Sequence, residues 1–428
     1  MMKPSLSCCW TLLVALLVLR AAPALGHAGL PETSNFTLRP GNENDMIAGA
    51  TFGALISRDK GQSWRWICPE GMNIGAWRPE RYYWLSHGEI IAATGNALVS
   101  SKDNGCTWNT HPAFKETWAT SLSVHPSDER IMYLTTGKPY VANSIFRSDD
   151  GGATWKELVP LNPDIRYSTL RIAPSNPQRL YVSGQDQNGM FLLRSDNAGQ
   201  SWTRLPQPFS QLQSPYDFVM MLVSPQSADV LWAKVSAQGL SYFLKSTDAG
   251  ATFVAQMDVP DVLIGAETSA DGRTAWVATP VNLYRGRDGE PFSALTLPTG
   301  NACATRVGDV LYGCGSSWLH TWALAKSTDE GNTWQPIFGL SNIQGAHVCA
   351  EGTPIQQACP SRWPQMAAQI NATGGPPTDG GVPDGGTSEP PPPPKGGCSA
   401  TAGMAPSALL LLALALSRAS RRPSRRDS

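Results

Sequence analysis

Ser57-Arg58-Asp59-Lys60-Gly61-Gln62-Ser63-Trp64 is the stretch whose reading decides the fold, because its pattern returns along the chain. The pattern, Ser-x-Asp-x-Gly-x-Ser/Thr-aromatic, recurs at Ser101-x-Asp103-x-Gly105-x-Thr107-Trp108 and at Ser148-x-Asp150-x-Gly152-x-Thr154-Trp155. Ser195-x-Asn197-x-Gly199-x-Ser201-Trp202 carries Asn for Asp, and Ser246-x-Asp248-x-Gly250-x-Thr252-Phe253 carries Phe for Trp. Ser327-x-Asp329-x-Gly331-x-Thr333-Trp334 is complete again, and Asp288-Gly289-Glu290-Pro291-Phe292 reads as a shortened, decayed copy. The aspartate positions lie 44, 47, 47, 51, 40 and 41 residues apart. A carboxylate that accepts backbone N–H groups, a glycine at positive φ and an inward-packing aromatic ring suit a tight turn between strands.

Periods of this length filled with short strands indicate propeller blades. In the third period four β-prone runs can be read: 121–124, 131–134, 144–147 and 154–158. Turn residues such as His125-Pro126-Ser127-Asp128 separate them, and the motif falls between strands three and four. The expected fold is all-β, a propeller of seven four-stranded blades over residues 34–345. The motif resembles the Asp-box, or BNR repeat. That resemblance implies a scaffolding role for Asp59, Asp103, Asp150, Asn197, Asp248, Asp288 and Asp329, and it says little about activity.

Asp-box propellers include sialidases, xyloglucanases, sortilin-type receptors and photosystem II assembly factors. Sialidases resemble one another in a Phe/Tyr-Arg-Ile-Pro element and an arginine triad. Here Phe36-Thr37-Leu38-Arg39-Pro40 breaks that element, although Arg171 and Arg306 fall on expected inner strands. Xyloglucanases place two acidic catalysts between two propellers, whereas this repeat array makes one. No catalytic set can be assembled, so no catalytic residue is assigned. The expectation is a surface binder of glycan or protein without catalysis, with a glycoside hydrolase of sialidase-like or xyloglucanase-like type as the alternative.

Topology locates the expected binding face. The Asp-box turns lie on one face of a propeller. The loops from strand four to the next strand one, and from strand two to three, open on the other. Those loops carry the candidate ligand-binding residues Trp77, Arg78, Arg81, Tyr140, Arg166, Tyr167, Tyr216 and Trp318, together with Tyr82, Lys138, Asp186 and His320. Aromatic rings with guanidinium groups suit stacking on sugars and hydrogen bonding to polar polymers.

Six cysteines fall within the folded part: Cys68, Cys106, Cys303, Cys314, Cys349 and Cys359. An even number in an exported chain points to disulfides. A two-residue turn at Gly308-Asp309 pairs Val307 with Val310 and so sets Cys303 opposite Cys314. Cys349 and Cys359 are expected to close a helical appendix over residues 346–370, which leaves Cys68 with Cys106. With no CxxC pair, neither a metal nor a cofactor is expected.

Both ends read as processing signals. Lys3, an apolar run over residues 12–19 and small residues up to Gly26 form a signal peptide, 1–26. Residues 371–397 are an extended Pro/Gly spacer, with eight of each in that stretch. Residues 398–428 hold Cys398, an apolar stretch over 402–416 and five arginines. The order resembles the myxobacterial-type sorting tail called MYXO-CTERM. It implies a sorting protease acting near Cys398, transient membrane residence of the tail, and delivery to the outer surface of a Gram-negative-type cell or release. Residues 27–397 carry 26 Lys+Arg against 33 Asp+Glu, which argues against a nucleic-acid partner.

Overall fold

The computed structural model describes residues 31–373 except 73, 75–79, 207–208, 210–211, 296–300 and 316–321. These residues all belong to the first of the two units into which the chain divides, 1–380 and 381–428. The signal peptide, the spacer and the sorting tail with Cys398 lie outside the described residues. Among the described residues no helix is long and apolar enough to cross a membrane.

Seven four-stranded antiparallel sheets follow one another, each with its strands in chain order. Blade 1 spans Thr33–Ile67, blade 2 Tyr82–Thr110, blade 3 Ala119–Glu157 and blade 4 Arg166–Arg204. Blade 5 spans Pro215–Val259, blade 6 Gly265–Ala294 and blade 7 Asn301–Phe338. The first strand of blade 1 packs against the first strands of blades 2 and 7, so the blades close into a ring. Hydrophobic clusters fill the wedges between neighbouring blades, as Phe209, Phe218, Leu231 and Phe253 do between blades 4 and 5.

The repeated motif forms the same Ser–Asp/Asn–Gly bonding set in six blades, and its Trp-to-Gly bond in blades 1, 2, 3 and 7. In blade 1, Asp59 Oδ1 accepts from the Ser57 hydroxyl at 2.8 Å and from the Ser63 N–H at 2.9 Å. The Ser57 hydroxyl oxygen accepts from the Gly61 N–H at 2.9 Å, and Trp64 Nε1 donates to the Gly61 carbonyl at 3.0 Å. Gly61 sits at φ +83°, which a side chain rarely adopts. Asn197 keeps the carboxylate's part of the set by accepting from the Ser201 N–H through Oδ1 and donating to its hydroxyl through Nδ2. Asp288 departs from its expected role. Gly286 stands where the serine would be, and Asp288 instead pairs with Lys245 of blade 5 at 2.8 Å. Blade 6 keeps only the aromatic half of the motif, with Phe292 over Gly286 and 5.5 Å from Phe243.

Ring closure uses the segment after blade 7. Gln344 N–H donates to the Trp64 carbonyl, Trp66 N–H to the Gly345 carbonyl and His347 N–H to the Trp66 carbonyl, at 2.7–3.0 Å. This places a short parallel strand on the outer edge of blade 1, with Trp66 bridged to Ala346. Helices Pro354–Ala358 and Trp363–Gln369 follow. Ile355 is buried, with its side chain over Gly71, where any Cβ would fall 2.4 Å from its Cδ1.

Cys303 pairs with Cys314 as the hairpin register requires. The other two expected pairings are corrected. Cys349 bonds Cys106, and Cys359 bonds Cys68. The appendix is therefore stapled to blades 1 and 2 rather than closed on itself. Ring closure is the cause, since it brings residues some 240–290 positions apart to within disulfide reach.

Candidate functional site: the channel and the face opposite the Asp-boxes

The first strand of every blade contributes to a central channel of about 510 Å³. Most polar side chains on these strands tie one blade to the next. Thr37 donates to the Tyr82 carbonyl at 2.6 Å, Tyr83 to that of Leu122 at 2.9 Å and Ser123 to that of Leu170 at 2.8 Å. Thr169 donates to the Met220 carbonyl at 3.0 Å, and Arg171 Nε to that of Met221 at 2.8 Å. Arg306 Nε donates to the Thr268 carbonyl at 2.7 Å, while Glu267 accepts the Arg306 N–H at 2.9 Å. The two channel arginines noted in the sequence therefore act as inter-blade braces.

Charged side chains at the channel come from blades 2, 4, 5 and 6. Glu80, just before the inner strand of blade 2, is ion-paired with Arg171 of blade 4. Lys234 and Asp217 pair at 2.9 Å in blade 5. Arg81 also lines the channel and forms no ion pair among the described residues. It is open to solvent yet walled in by protein. Enclosure alone would lower its pKa, but Tyr83, Glu267 and Glu80 around it hold it above the ordinary value. The channel thus presents an exposed guanidinium, held beside Tyr83, Glu267 and Glu80, of a kind that pairs with anionic or carbonyl-rich groups.

Glu80 and Glu267 are the acids nearest that guanidinium. Glu267 Oε1 accepts the Thr268 N–H at 2.9 Å and Oε2 the Arg306 N–H at 2.9 Å. Both oxygens of Glu80 face the Arg171 guanidinium. A general acid must present a proton to a leaving group, and these carboxyls spend their oxygens on bracing.

The face opposite the Asp-box turns gives a clearer signal. Ten large hydrophobic side chains are exposed among the described residues. Seven of them (Tyr140, Val141, Leu161, Tyr216, Val262, Ile264 and Val281) lie in loops or strand starts on the face opposite the Asp-box turns. Tyr140 is 98 % exposed at the tip of a blade-3 loop, with φ +61°, and Tyr216 is 64 % exposed at the start of blade 5. Arg166 is exposed on the same side.

Trp77, Arg78, Trp318 and His320 lie outside the described residues. Tyr167 does not belong to the surface set: it is 3 % exposed, 6.0 Å from Phe191, and burial pushes its hydroxyl up to about 12. Tyr82 is buried too. Lys138 donates to the Glu116 carbonyl at 2.9 Å, and Asp186 pairs with Arg204 at 2.5 Å. Arg39 turns toward the Asp-box side, where Asp45 holds it at 2.9 Å. Sequence reading passed over Glu80, Tyr83, Lys234 and Glu267. Their signal was a polar residue on or beside the inner strands, in stretches where hydrophobic runs were sought. It also passed over His347-Val348-Cys349, which the fold sets beside Cys106.

A larger cavity of about 890 Å³ opens between blades 2 and 3 on the Asp-box side. Its charged groups satisfy one another: Arg130 with Asp128 at 2.8 Å, Lys102 and His87 with Glu89, and Glu129 with Ser86. Volume alone does not make it the site, because it leaves little unpaired polarity for a ligand.

Comparison with known proteins gives a consistent picture of the fold. A family model described as sortilin, neurotensin receptor 3, matches residues 96–213. A xyloglucanase of Hypocrea jecorina is 23 % identical over 164 residues, covering 38 % of this chain and 19 % of the relative. Xyloglucanase Xgh74A of Acetivibrio thermocellus is 28 % identical over 259 residues, covering 49 % of this chain and 29 % of the relative. This chain thus spans less than a third of the length of these curated relatives. Among solved structures, an ancestral GH74 enzyme superposes with TM-score 0.54 at 14 % identity, covering 76 % of this chain and 49 % of that one. The extracellular domain of a one component system from B. thetaiotaomicron gives 0.51 at 12 %, covering 70 % and 38 %. At these identities the solved structures show a shared fold, and that fold is the β-propeller.

Proposed function

We propose that this chain is an exported propeller that binds a glycan or protein polymer on the face opposite the Asp-boxes, without turning it over. The observation that carries the reading is the one-sided distribution of exposed apolar side chains, seven of the ten among the described residues on that face, where the central channel is lined in part by Arg81. Loops held on a rigid scaffold carry function more often than cores do, and scattered surface apolar residues would not favour one face. Tyr140 and Tyr216 supply flat, amphipathic contact surfaces, and Arg81 supplies a fixed charge at the channel. Three disulfides suit an oxidising compartment, and relatives named as xyloglucanases and as an extracellular domain fit the same setting. The sorting tail with Cys398 would then place the propeller at the cell surface.

The second reading, a glycoside hydrolase, is favoured by the xyloglucanase relatives and by the presence of Glu80 and Glu267 in one channel. One experiment separates them. Purified protein is tested on immobilised xyloglucan, other polysaccharides and peptide arrays, with and without Tyr140→Ala and Tyr216→Ala. Binding that falls several-fold in the variants at unchanged melting temperature supports the proposal. Release of reducing sugar at enzyme-like rates, abolished by Glu267→Gln, would overturn it.

A further inference from the structure

Cys106, His347 and Cys349 come together from distant parts of the chain, and their sulfur and ring-nitrogen atoms lie within 4.8 Å of one another. Cys106 belongs to the Asp-box turn of blade 2, and the other two to the closing segment. We propose that this cluster is a redox-gated metal site: oxidised it is a strap, and reduced it binds Zn²⁺ through Cys106 Sγ, Cys349 Sγ and His347.

Three observations carry this. The ligand set is of the kind zinc prefers, two thiolates and an imidazole with a fourth position left for water. His347 Nε2 lies 3.0 Å from the Asn104 carbonyl and can only donate to it, so Nδ1 is the nitrogen that keeps a lone pair. A metal-binding histidine is commonly oriented in this way, by giving its other N–H to a backbone carbonyl. Finally, Cys349 and His347 are partly accessible, whereas Cys68, Cys359, Cys303 and Cys314 are all buried. A dithiol can therefore reach this disulfide first, because exchange requires the attacking thiolate to approach sulfur.

The chemistry balances with a dithiol as the reductant. Its two thiols become a disulfide, two electrons pass to the Cys106–Cys349 bond, and two protein thiols form. Zn²⁺ then displaces the two thiol protons and takes the imidazole lone pair. Two protons leave per metal ion bound, and the closing segment stays attached to blade 2 through the metal instead of the sulfur–sulfur bond.

The test uses the full chain treated anaerobically with a dithiol, with mass mapping to identify which cysteines are reduced, followed by Co²⁺ and Zn²⁺ titration. Cys106 and Cys349 should be freed before the other two pairs. Reduced protein should take up one Co²⁺ with sulfur-to-metal charge-transfer and intense tetrahedral visible bands, and Zn²⁺ should displace it. Oxidised protein should show no such bands. His347→Gln, which keeps the bulk of the side chain, should weaken uptake by about tenfold or more. Cys106→Ser should abolish the two-thiolate spectrum, which also separates this site from Cys8, Cys9 and Cys398. Equal uptake by His347→Gln and wild type, or no uptake by wild type with both thiols free, would overturn the proposal.

Discussion

At the scale of single residues, the Asp-box aspartates are held ionised by their turns. The Thr154 hydroxyl and N–H bring Asp150 down to about 2, and those of Thr333 do the same for Asp329. A carboxylate lowered in the folded state adds stability above its unfolded pKa and loses that addition as pH falls through the folded value. The propeller should therefore soften between about pH 4 and pH 2. Thr154→Val should move that acid limb upward, as read by melting temperature against pH, and superimposable limbs would remove the explanation. Trp64 is the second test at this scale. Its ring is 1 % exposed and stacks on Phe338 of blade 7 at 4.2 Å, across the closing interface. Trp64→Ala should cost about 3–5 kcal/mol by denaturant unfolding. Tyr140→Ala, at the opposite extreme of exposure, should cost almost nothing.

At the scale of elements, what was legible in the sequence was local. The motif spacing placed the blades, and Val307-Gly308-Asp309-Val310 set the register that brings Cys303 opposite Cys314. Neither result needs knowledge of how blades meet. The pairings of Cys68 and Cys106 do need it, because their partners arrive only when the ring has closed and the segment after Phe338 lies along blade 1. Tyr167 was misplaced for a related reason. It sits on an inner strand whose side chains face neighbouring blades, and a sequence marks such a strand only as a short run beside a loop. Arg81 does line the channel, because topology alone puts the residues before a first strand there. The disulfides follow the same division between local and global. In a chain-entropy estimate the Cys68–Cys359 bond contributes roughly 5–6 kcal/mol and Cys303–Cys314 about 3. The pair Cys68→Ser with Cys359→Ser should therefore lower the melting temperature more than Cys303→Ser with Cys314→Ser. The reverse order would mean that the closing segment docks firmly without its staple.

At the scale of the whole molecule, the residues that close the ring precede in sequence the stretch proposed to direct location. Ring closure is in place by Thr373, whose N–H donates to the Ser341 carbonyl. The Pro/Gly spacer and the residues from Cys398 onward follow that point in sequence. In the proposed arrangement the sequence between the propeller and Cys398 is Pro- and Gly-rich, a composition used in linkers. It suits a binder whose rim offers a few modest contacts, each aromatic one worth about 0.5–1.5 kcal/mol beyond burial. Such contacts gain most when many copies face one polymer from a common surface. The expectation is that Cys398→Ala leaves the melting temperature of the propeller unchanged. It should remove the protein from the cell surface, as read by protease shaving of whole cells. Cells carrying the variant should also lose retention on immobilised ligand, while the purified variant binds as wild type does. If shaving releases wild type and variant equally, the sorting role of Cys398 is excluded. Surface avidity would then have to come from association between propellers themselves.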